Sequence, residues 1–434
     1  MRILGIGQYH SLGDMYWRLQ RAGHEVRVFA SEPEAHDIFA GMVTRIDDWR
    51  VQLPWLRAAG DEGLIVFEGA SDGPLQDELR AAGYRVVGGS AWGDRIENDR
   101  RYGQQVLREA GLRTAASWEF RDPAAAIRFL QERPMRTVYK LSDDTAASTR
   151  NYVGERDDGS DMIALLRRAQ RRAAGGDGAP FILMEHLRGV ETGIGGYFNG
   201  HDFLRPLCLD WEHKRFFPGD IGELTGEMGT LVTYRHYETL YAETLARLVE
   251  PLRRGGYRGW INLNTIINAD GVWPLEFTCR FGYPGYAILD ALHTGGWGPI
   301  LAATACGRAL EFPSRDGYAL GVVLTVPPFP YEYGYAELSR GLPLLLPESM
   351  AEHERLALHH GEVGLDAHGD LVTAGSIGYV TVATGVGADA ETAQAAAYRL
   401  ARQVVIPNLR YRDDIGARFL REDRARLRAW GYLP

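Results

Sequence analysis

An α/β chain of several domains is what the sequence predicts, on three observations. Over residues 1–95 short apolar runs alternate with segments of helical spacing. Further on, an Asx/Gly turn separates two apolar runs in the manner of an antiparallel hairpin. And 434 residues, at roughly 100–200 per domain, make two to four domains.

The elements follow in order. Residues 2–6 read as a short buried strand ending at Gly7. Residues 14–22 carry Met15, Trp17 and Leu19 among polar neighbours, a helical spacing that stops at Gly23. A strand at 25–30, then strand, helix and strand at 63–68, 74–82 and 84–87, complete the alternation of a Rossmann-like parallel sheet. Gly5 and Gly7 read as a tight strand–helix turn ahead of a dinucleotide site. A third glycine is missing, and no acidic residue clearly follows the second strand.

Residues 94–110 form a charged helix and 136–141 a strand carrying Lys140. A Gly/Asp-rich patch at 175–178 precedes a strand at 181–185. The runs 260–267 and 271–277 flank Asn268-Ala269-Asp270-Gly271, a hairpin signal. A strand at 320–326 and an Ala-rich helix at 390–404 close the chain, with Pro313-Ser314 as the linker candidate.

Hydrophobic residues make up 45% and charged residues 24%, an ordinary globular composition that excludes general disorder. A net charge of -9 argues against a general nucleic-acid or anionic-membrane binder. Cys208, Cys279 and Cys306 form neither a disulfide framework nor a CxxC metal motif. No apolar run reaches the ~18–20 residues of a membrane span, and the N-terminus lacks the pattern of a signal peptide. The expectation is a cytoplasmic protein, monomeric or homodimeric, acting on small molecules.

Three stretches, in order, carry a family resemblance. Met184-Glu185-His186-Leu187-Arg188-Gly189-Val190-Glu191 is similar to the "EEFL-x-GEE" hinge of ATP-grasp ligases. His213-Lys214-Arg215, followed by the run from Gly219 and Asp220 to Gly229, resembles the "DHKR…GDTGPNTGGMG" stretch of the phosphoribosylamine–glycine ligase family. Leu275 to Pro284 resembles that family's "EFNCRFGDPE". Leu320-Gly321-Val322-Val323 and Tyr411 to Gly416 match its "LGVV" and "RRDIG", so the likeness runs through nearly the whole chain. It implies a Rossmann-like substrate domain over 1–95 and an ATP-grasp domain over 96–312 with a mobile lid near 116–187. A C-terminal mixed-sheet α/β domain would follow over 315–434.

What the resemblance implies is ligation of a carboxylate to an amine through an acyl phosphate, with ATP and Mg²⁺. For ATP the candidates are Arg100, Lys140, Glu185, His186, Leu187 and Glu191. Lys140 suits phosphate as a point charge and Arg100 as a bidentate donor, although a helix arginine also fits a plain surface. Glu185 to Leu187 would line the adenine and Glu191 would accept the ribose hydroxyls. For the metal the candidates are Glu276, Asn264 and Thr278. Mg²⁺ prefers hard oxygen ligands, and a hairpin centred near Asp270 makes Asn264 and Glu276 cross-strand neighbours. His213, Lys214, Arg215 and Arg280 are the catalytic candidates, the first three read as clustered cations facing an anionic substrate. Gln8, Tyr9, His10, Ser71, Asp220, Thr225, Gly226 and Tyr283 are the substrate-binding candidates.

Several family motifs are replaced. "GNGGREHALAWKL" is here Gly7-Gln8-Tyr9-His10-Ser11-Leu12-Gly13 and onward, and "VGPEAPL" is Val66 to Asp72. Tyr283 and Gly285 stand where the family has Asp and Glu, and residues 144–151 lack the glycine and lysine of "GLAAGKGV". The pattern favours the same ligase chemistry on a different amine and carboxylate. Genuine phosphoribosylamine–glycine ligase activity, or a nucleotide-binding protein without catalysis, are the alternatives.

Overall fold

The computed structural model describes residues 1–141, 151–172 and 180–434. The loop at 144–150 and the patch at 175–178 therefore lie outside the described residues. The chain opens with β1 (Arg2–Gly7), β2 (Glu25–Ala30), β3 (Gly63–Phe67) and β4 (Val86–Val87), all parallel, in the order β2-β1-β3-β4. Helices Gly13–Arg21 and Gly73–Ala81 supply crossovers. Period-two alternation divides the apolar residues between the faces. Leu4, Ile6, Ile65 and Phe67 pack with Trp49, Leu56 and Leu79, while Ile3, Val26, Val28 and Val66 join the main core.

Gly5 and Gly7 are packing glycines. A Cβ at Gly5 would lie 2.4 Å from the Tyr16 ring, and one at Gly7 would lie 2.1 Å from Glu68 Oε2. The single helix expected over 94–110 is two, Ala91–Asn98 and Arg100–Glu109. Asp99 breaks the run and caps the second, accepting from the Tyr102 N–H at 2.9 Å.

A second sheet contains β5 (Ser117–Phe120), β6 (Thr137–Leu141), β7 (Tyr152–Val153) and β8 (Phe181–Glu185), in the order β5-β8-β6-β7. It carries a core of its own, with Phe181 and Leu183 against Ile127, Leu130, Met162 and Leu166.

The largest sheet begins with β9 (Val190–Phe198) and β10 (Cys208–Glu212), and the hairpin β11 (Arg215–Phe217) and β12 (Ile221–Leu224) branches off. It continues with β13 (Gly229–Thr233), β14 (Gly259–Asn268), β15 (Gly271–Thr278) and β16 (Tyr318–Thr325). After β17 (Leu358–His360) and a small hairpin, β18 (Val363–Leu365) and β19 (Leu371–Thr373), comes β20 (Tyr379–Gly387). The order β15-β14-β9-β10-β13-β16-β20-β17 makes one eight-stranded sheet. The expected break at Pro313-Ser314 thus falls inside a continuous sheet, because β16, β20 and β17 extend the strands before them. Helix Ala390–Ala401 covers β20. Among the described residues no helix is long and apolar enough to cross a membrane, and the three cysteines are unpaired.

A buried ion network ties the N-terminal helix to β17. Asp14 accepts from Arg18 Nε at 2.6 Å and lies 3.0 Å from His359 Nδ1. Arg18 also donates to the carbonyls of Leu356 and Leu358 and pairs with Asp290 at 3.2 Å. Burial opposes the Asp14 charge, but Arg18 and then His359 hold its carboxyl well below the usual range. A lowered carboxylate contributes stability above the unfolded pKa of ~3.9 and loses it as pH falls below that value. We expect Arg18→Met to cost about 3–5 kcal/mol at neutral pH, the cost of stranding a buried charge. In urea unfolding the deficit should shrink below about pH 4, where Asp14 can protonate in the variant.

Candidate functional site

The polar face of the large sheet is built by alternation and register. Asn264 pairs with Glu276 across the β14–β15 hairpin, and Asn264 also lies opposite Gly193 of β9. Residues two apart share a face, so Glu191, Gly193, Asn262, Asn264, Glu276 and Thr278 look to one side, joined by Asp210 and Glu212 of β10. A Cβ at Gly193 would lie 2.1 Å from Asp210 Oδ1, so glycine there leaves room for a carboxylate.

Lys214 sits among three of these acids. Its Nζ lies 3.1 Å from Glu212, 3.6 Å from Glu191 and 3.6 Å from Glu276 Oε1. Glu276 Oε2 accepts from Arg100 at 2.7 Å and lies 4.0 Å from Lys140 Nζ. Asn264 Nδ2 donates to Glu191 at 2.8 Å. Burial works against the Glu276 charge, yet Lys214, Lys140 and Arg100 hold its carboxyl far below the usual range. For Lys214 burial again opposes the charge, and Glu212, Glu191 and Glu276 prevail, raising its pKa. Among the described residues, Arg100 Nη1 and Asn264 Oδ1 are buried here without a hydrogen-bond partner. One is a free donor suited to phosphate and the other a free hard acceptor suited to a cation.

Among the described residues no group of three His, Cys, Asp or Glu side chains could hold a metal by itself. Thr278 stands apart from the other two metal candidates. It lies opposite Asn262 and, with Asp210, Glu212, Glu227 and Asn262, lines a small cavity of about 40 Å³.

The hinge residues Glu185, His186 and Leu187 line an open groove of about 730 Å³ together with the β14–β15 turn and Trp273. Asn268 Nδ2 binds the Arg188 carbonyl at 3.1 Å, tying hinge to turn. Among the described residues His186 Nδ1 has no partner.

A separate cavity of about 500 Å³ gathers most substrate candidates. Gln8, Tyr9, His10, Ser71, Gly226, Tyr283 and Arg280 all line it. The first four follow β1 and β3 at their carboxyl ends, where ligands of parallel sheets bind. Arg280 is positioned by Glu97, Nε to Oε1 3.0 Å.

Four candidates take other places. His213 is no cation. Burial, with Arg412 and Arg418 nearby, pushes its pKa down to about 4, and its Nε2 accepts from the Gly416 N–H at 3.2 Å. Arg215 donates to the Gly222 carbonyl at 2.6 Å within the β11–β12 hairpin. Asp220 pairs with Arg412 at 2.9 Å and Arg418 at 3.0 Å. Thr225 binds the Lys214 carbonyl through both N–H and Oγ1, at 2.8 and 2.9 Å, so it holds the Lys214 backbone.

Sequence reasoning passed over Glu212, Glu68, Glu97, Glu362 and Tyr379. Strand alternation with Asp210 could have found Glu212, and a position just past β3 could have found Glu68. Glu362 and Tyr379 reach the cavity from far along the chain, with no local signal.

The family model for phosphoribosylglycinamide synthetase, ATP-grasp (A) domain, matches residues 98–286. A phosphoribosylamine–glycine ligase from Mycobacterium bovis is 30% identical over 359 residues, covering 79% of this chain and 80% of that protein. The chain belongs to the phosphoribosylamine–glycine ligase family. This ATP-grasp ligase also resembles the crystal structure of phosphoribosylamine–glycine ligase from Thermotoga maritima, with a TM-score of 0.71 at 23% identity over 96% of this chain and 100% of that one. The biotin carboxylase domain of Hydrogenobacter thermophilus 2-oxoglutarate carboxylase, solved with MgADP, shares the fold at a TM-score of 0.63 and 11% identity, over 94% of this chain and 91% of that one.

Burial first, and then Arg100, push the Lys140 ammonium of this ligase down to about 8, while Glu276 acts in the opposite sense. Amine-directed acylation of Lys140, followed by peptide mass spectrometry, should therefore show a midpoint near pH 8 rather than the ~10.4 of an ordinary lysine. Glu276→Gln should move that midpoint lower still, because the charge that opposes deprotonation is gone. An ordinary midpoint would show that the cluster does not form.

Proposed function

We propose that this chain is an ATP-dependent carboxylate–amine ligase acting, through an acyl phosphate, on an amine and a carboxylate other than phosphoribosylamine and glycine. The observation that carries the reading is a contrast. Glu276 stands with Arg100, Lys140 and Lys214 beside Asn264, while the loops lining the cavity have lost the family's residues. Chemistry on the nucleotide side is kept and recognition on the other side is changed.

The residues on the nucleotide side fit ATP and Mg²⁺. An ion held there would supply charge neutralisation for the phosphates. Glu276 and the free Oδ1 of Asn264 would hold it, and Lys140, Lys214 and Arg100 would hold phosphate oxygens. Glu191 would meet the ribose, and the hinge at Glu185, His186 and Leu187 the adenine. Preorganised cations need no rearrangement as charge develops, which is the main service a protein renders to phosphoryl transfer. In the second half-reaction the acyl carbon–oxygen bond breaks as a carbon–nitrogen bond forms. Phosphate leaves with the electron pair, and the nitrogen, attacking as the neutral amine, gives up a proton. Arg280, at the cavity wall and oriented by Glu97, is the cation available to the acyl group.

Family membership favours a second reading, in which the substrates are those of the named relatives. Tyr9, His10 and Ser11 in place of Gly-Gly-Arg, and Tyr283 and Gly285 in place of two carboxylates, weigh against it. Each lost charge-assisted contact costs roughly 1.5–3 kcal/mol. The chain should accordingly fail to restore growth on purine-free medium to a strain lacking its own phosphoribosylamine–glycine ligase. Growth would decide for the second reading.

Glu276→Gln should remove most Mg-dependent ADP formation with the fold intact by circular dichroism, since volume is kept and charge is lost. Turnover within about twofold of the unaltered protein, on the order of 0.4 kcal/mol in barrier terms, would sink the metal role.

A further inference from the structure

We propose that the 500 Å³ cavity takes an unphosphorylated amine, bound as its ammonium against Glu68. This names the amine class of the ligase proposed above and rests on that reading.

The charges of the wall point to it. Among the described residues that line the cavity the carboxylates are Glu68, Asp72, Glu97 and Glu362, and the one guanidinium is that of Arg280. Arg280 gives its Nε to Glu97 at 3.0 Å, so one of the four acids already shares the one cation. His10, which also faces the cavity, is 2% exposed with both ring nitrogens free of partners, and burial together with Arg45 pushes its pKa down to about 4. It offers a neutral imidazole and no charge for a phosphate.

Several backbone N–H groups at or beside the wall are taken by the protein's own carboxylates. Glu68 Oε2 accepts from the Ser11 N–H at 2.8 Å, and Glu362 accepts from the Ile377 N–H at 3.0 Å and the Gly378 N–H at 2.5 Å. The Gly73 N–H, at the start of the helix that follows Asp72, donates to Asp94 at 2.6 Å. A phosphate entering here would meet acids where it needs donors.

An ammonium has the opposite experience. Glu68 is 5% exposed, and among the described residues its Oε1 has no hydrogen-bond partner within 3.5 Å, the buried Tyr16 hydroxyl being its neighbour. A buried acceptor left unmade is costly, and a cationic donor satisfies it. Burial holds Glu68 and Glu362 up to about 7, the mark of acids that lack a counter-charge. Tyr9, Tyr283 and Tyr379 add aromatic surface on the same cavity, which favours a cation near their ring faces.

The test is calorimetric titration of the full chain, without nucleotide, with tyramine and putrescine as amine probes and ribose 5-phosphate as the anionic probe. The expected result is saturable binding of an amine at millimolar concentration and none of ribose 5-phosphate. Glu68→Gln should weaken amine binding by at least about tenfold. Tyrosol, which carries a hydroxyl in place of the tyramine ammonium, should bind the unaltered protein at least about tenfold more weakly than tyramine, a comparison that needs no variant. Tighter binding of ribose 5-phosphate than of both amines, equal binding of tyrosol and tyramine, unchanged affinity in a folded Glu68→Gln, or no amine binding at all would overturn the proposal. ADP release, measured separately, distinguishes the two readings. Amine binding with no ADP formed from any carboxylate would sink the ligase and leave the amine site standing.

Discussion

Everything on the polar face of the large sheet depends on the ammonium of Lys214. Glu191, Glu212 and Glu276 converge there because strand alternation sends them to one side, and three carboxylates so close repel one another unless a cation stands between them. Lys214 meets all three within 3.6 Å. Its backbone is pinned by Thr225 and its neighbour His213 is neutral and buried, so the ammonium has a defined place. Without it the paired strands β14 and β15 would present unbalanced charge in a half-buried cleft, a costly arrangement.

The same balance frames the proposed chemistry. Arg100, Lys140 and Lys214 compensate Glu276 in the absence of nucleotide, and phosphate oxygens are alternative partners for those cations. On that reading the protein need not build a positive site when ATP arrives; it exchanges one anion for another among fixed cations. The free Arg100 Nη1 and Asn264 Oδ1 are the atoms that such an exchange would satisfy.

The substrate cavity follows a different rule. Its wall comes from the ends of β1 and β3, from Arg280 and Tyr283 after β15, and from Glu362 and Tyr379 near β17 and β20. Glu68 and Glu362 there are held by backbone N–H groups and Glu97 by Arg280, so four carboxylates share one guanidinium. Cations meet the carboxylates of the polar face, whereas acids outnumber the one guanidinium on the cavity wall, and the proposed ligase reading rests on that difference.

Much of this was legible locally. Alternation and turn chemistry determine the parallel sheet, the β14–β15 hairpin and hence the Asn264–Glu276 pair, because register in a tight hairpin follows from the turn. The hinge and the Lys214 and Arg280 motifs are contiguous, so their residue types could be read directly. Which members of a motif face the site could not. His213, Arg215 and Asp220 sit beside Lys214 in the chain, yet one is buried neutral and two pair elsewhere. The difference is set by Arg412, Arg418 and Gly222, and the first two lie nearly two hundred residues away in sequence. Glu362 and Tyr379 reached the cavity unannounced for the same reason. Sequence by itself determined the strands, their faces and the chemical groups available. Only the tertiary structure decided which charges meet, because burial and ionisation depend on what distant segments bring against a side chain.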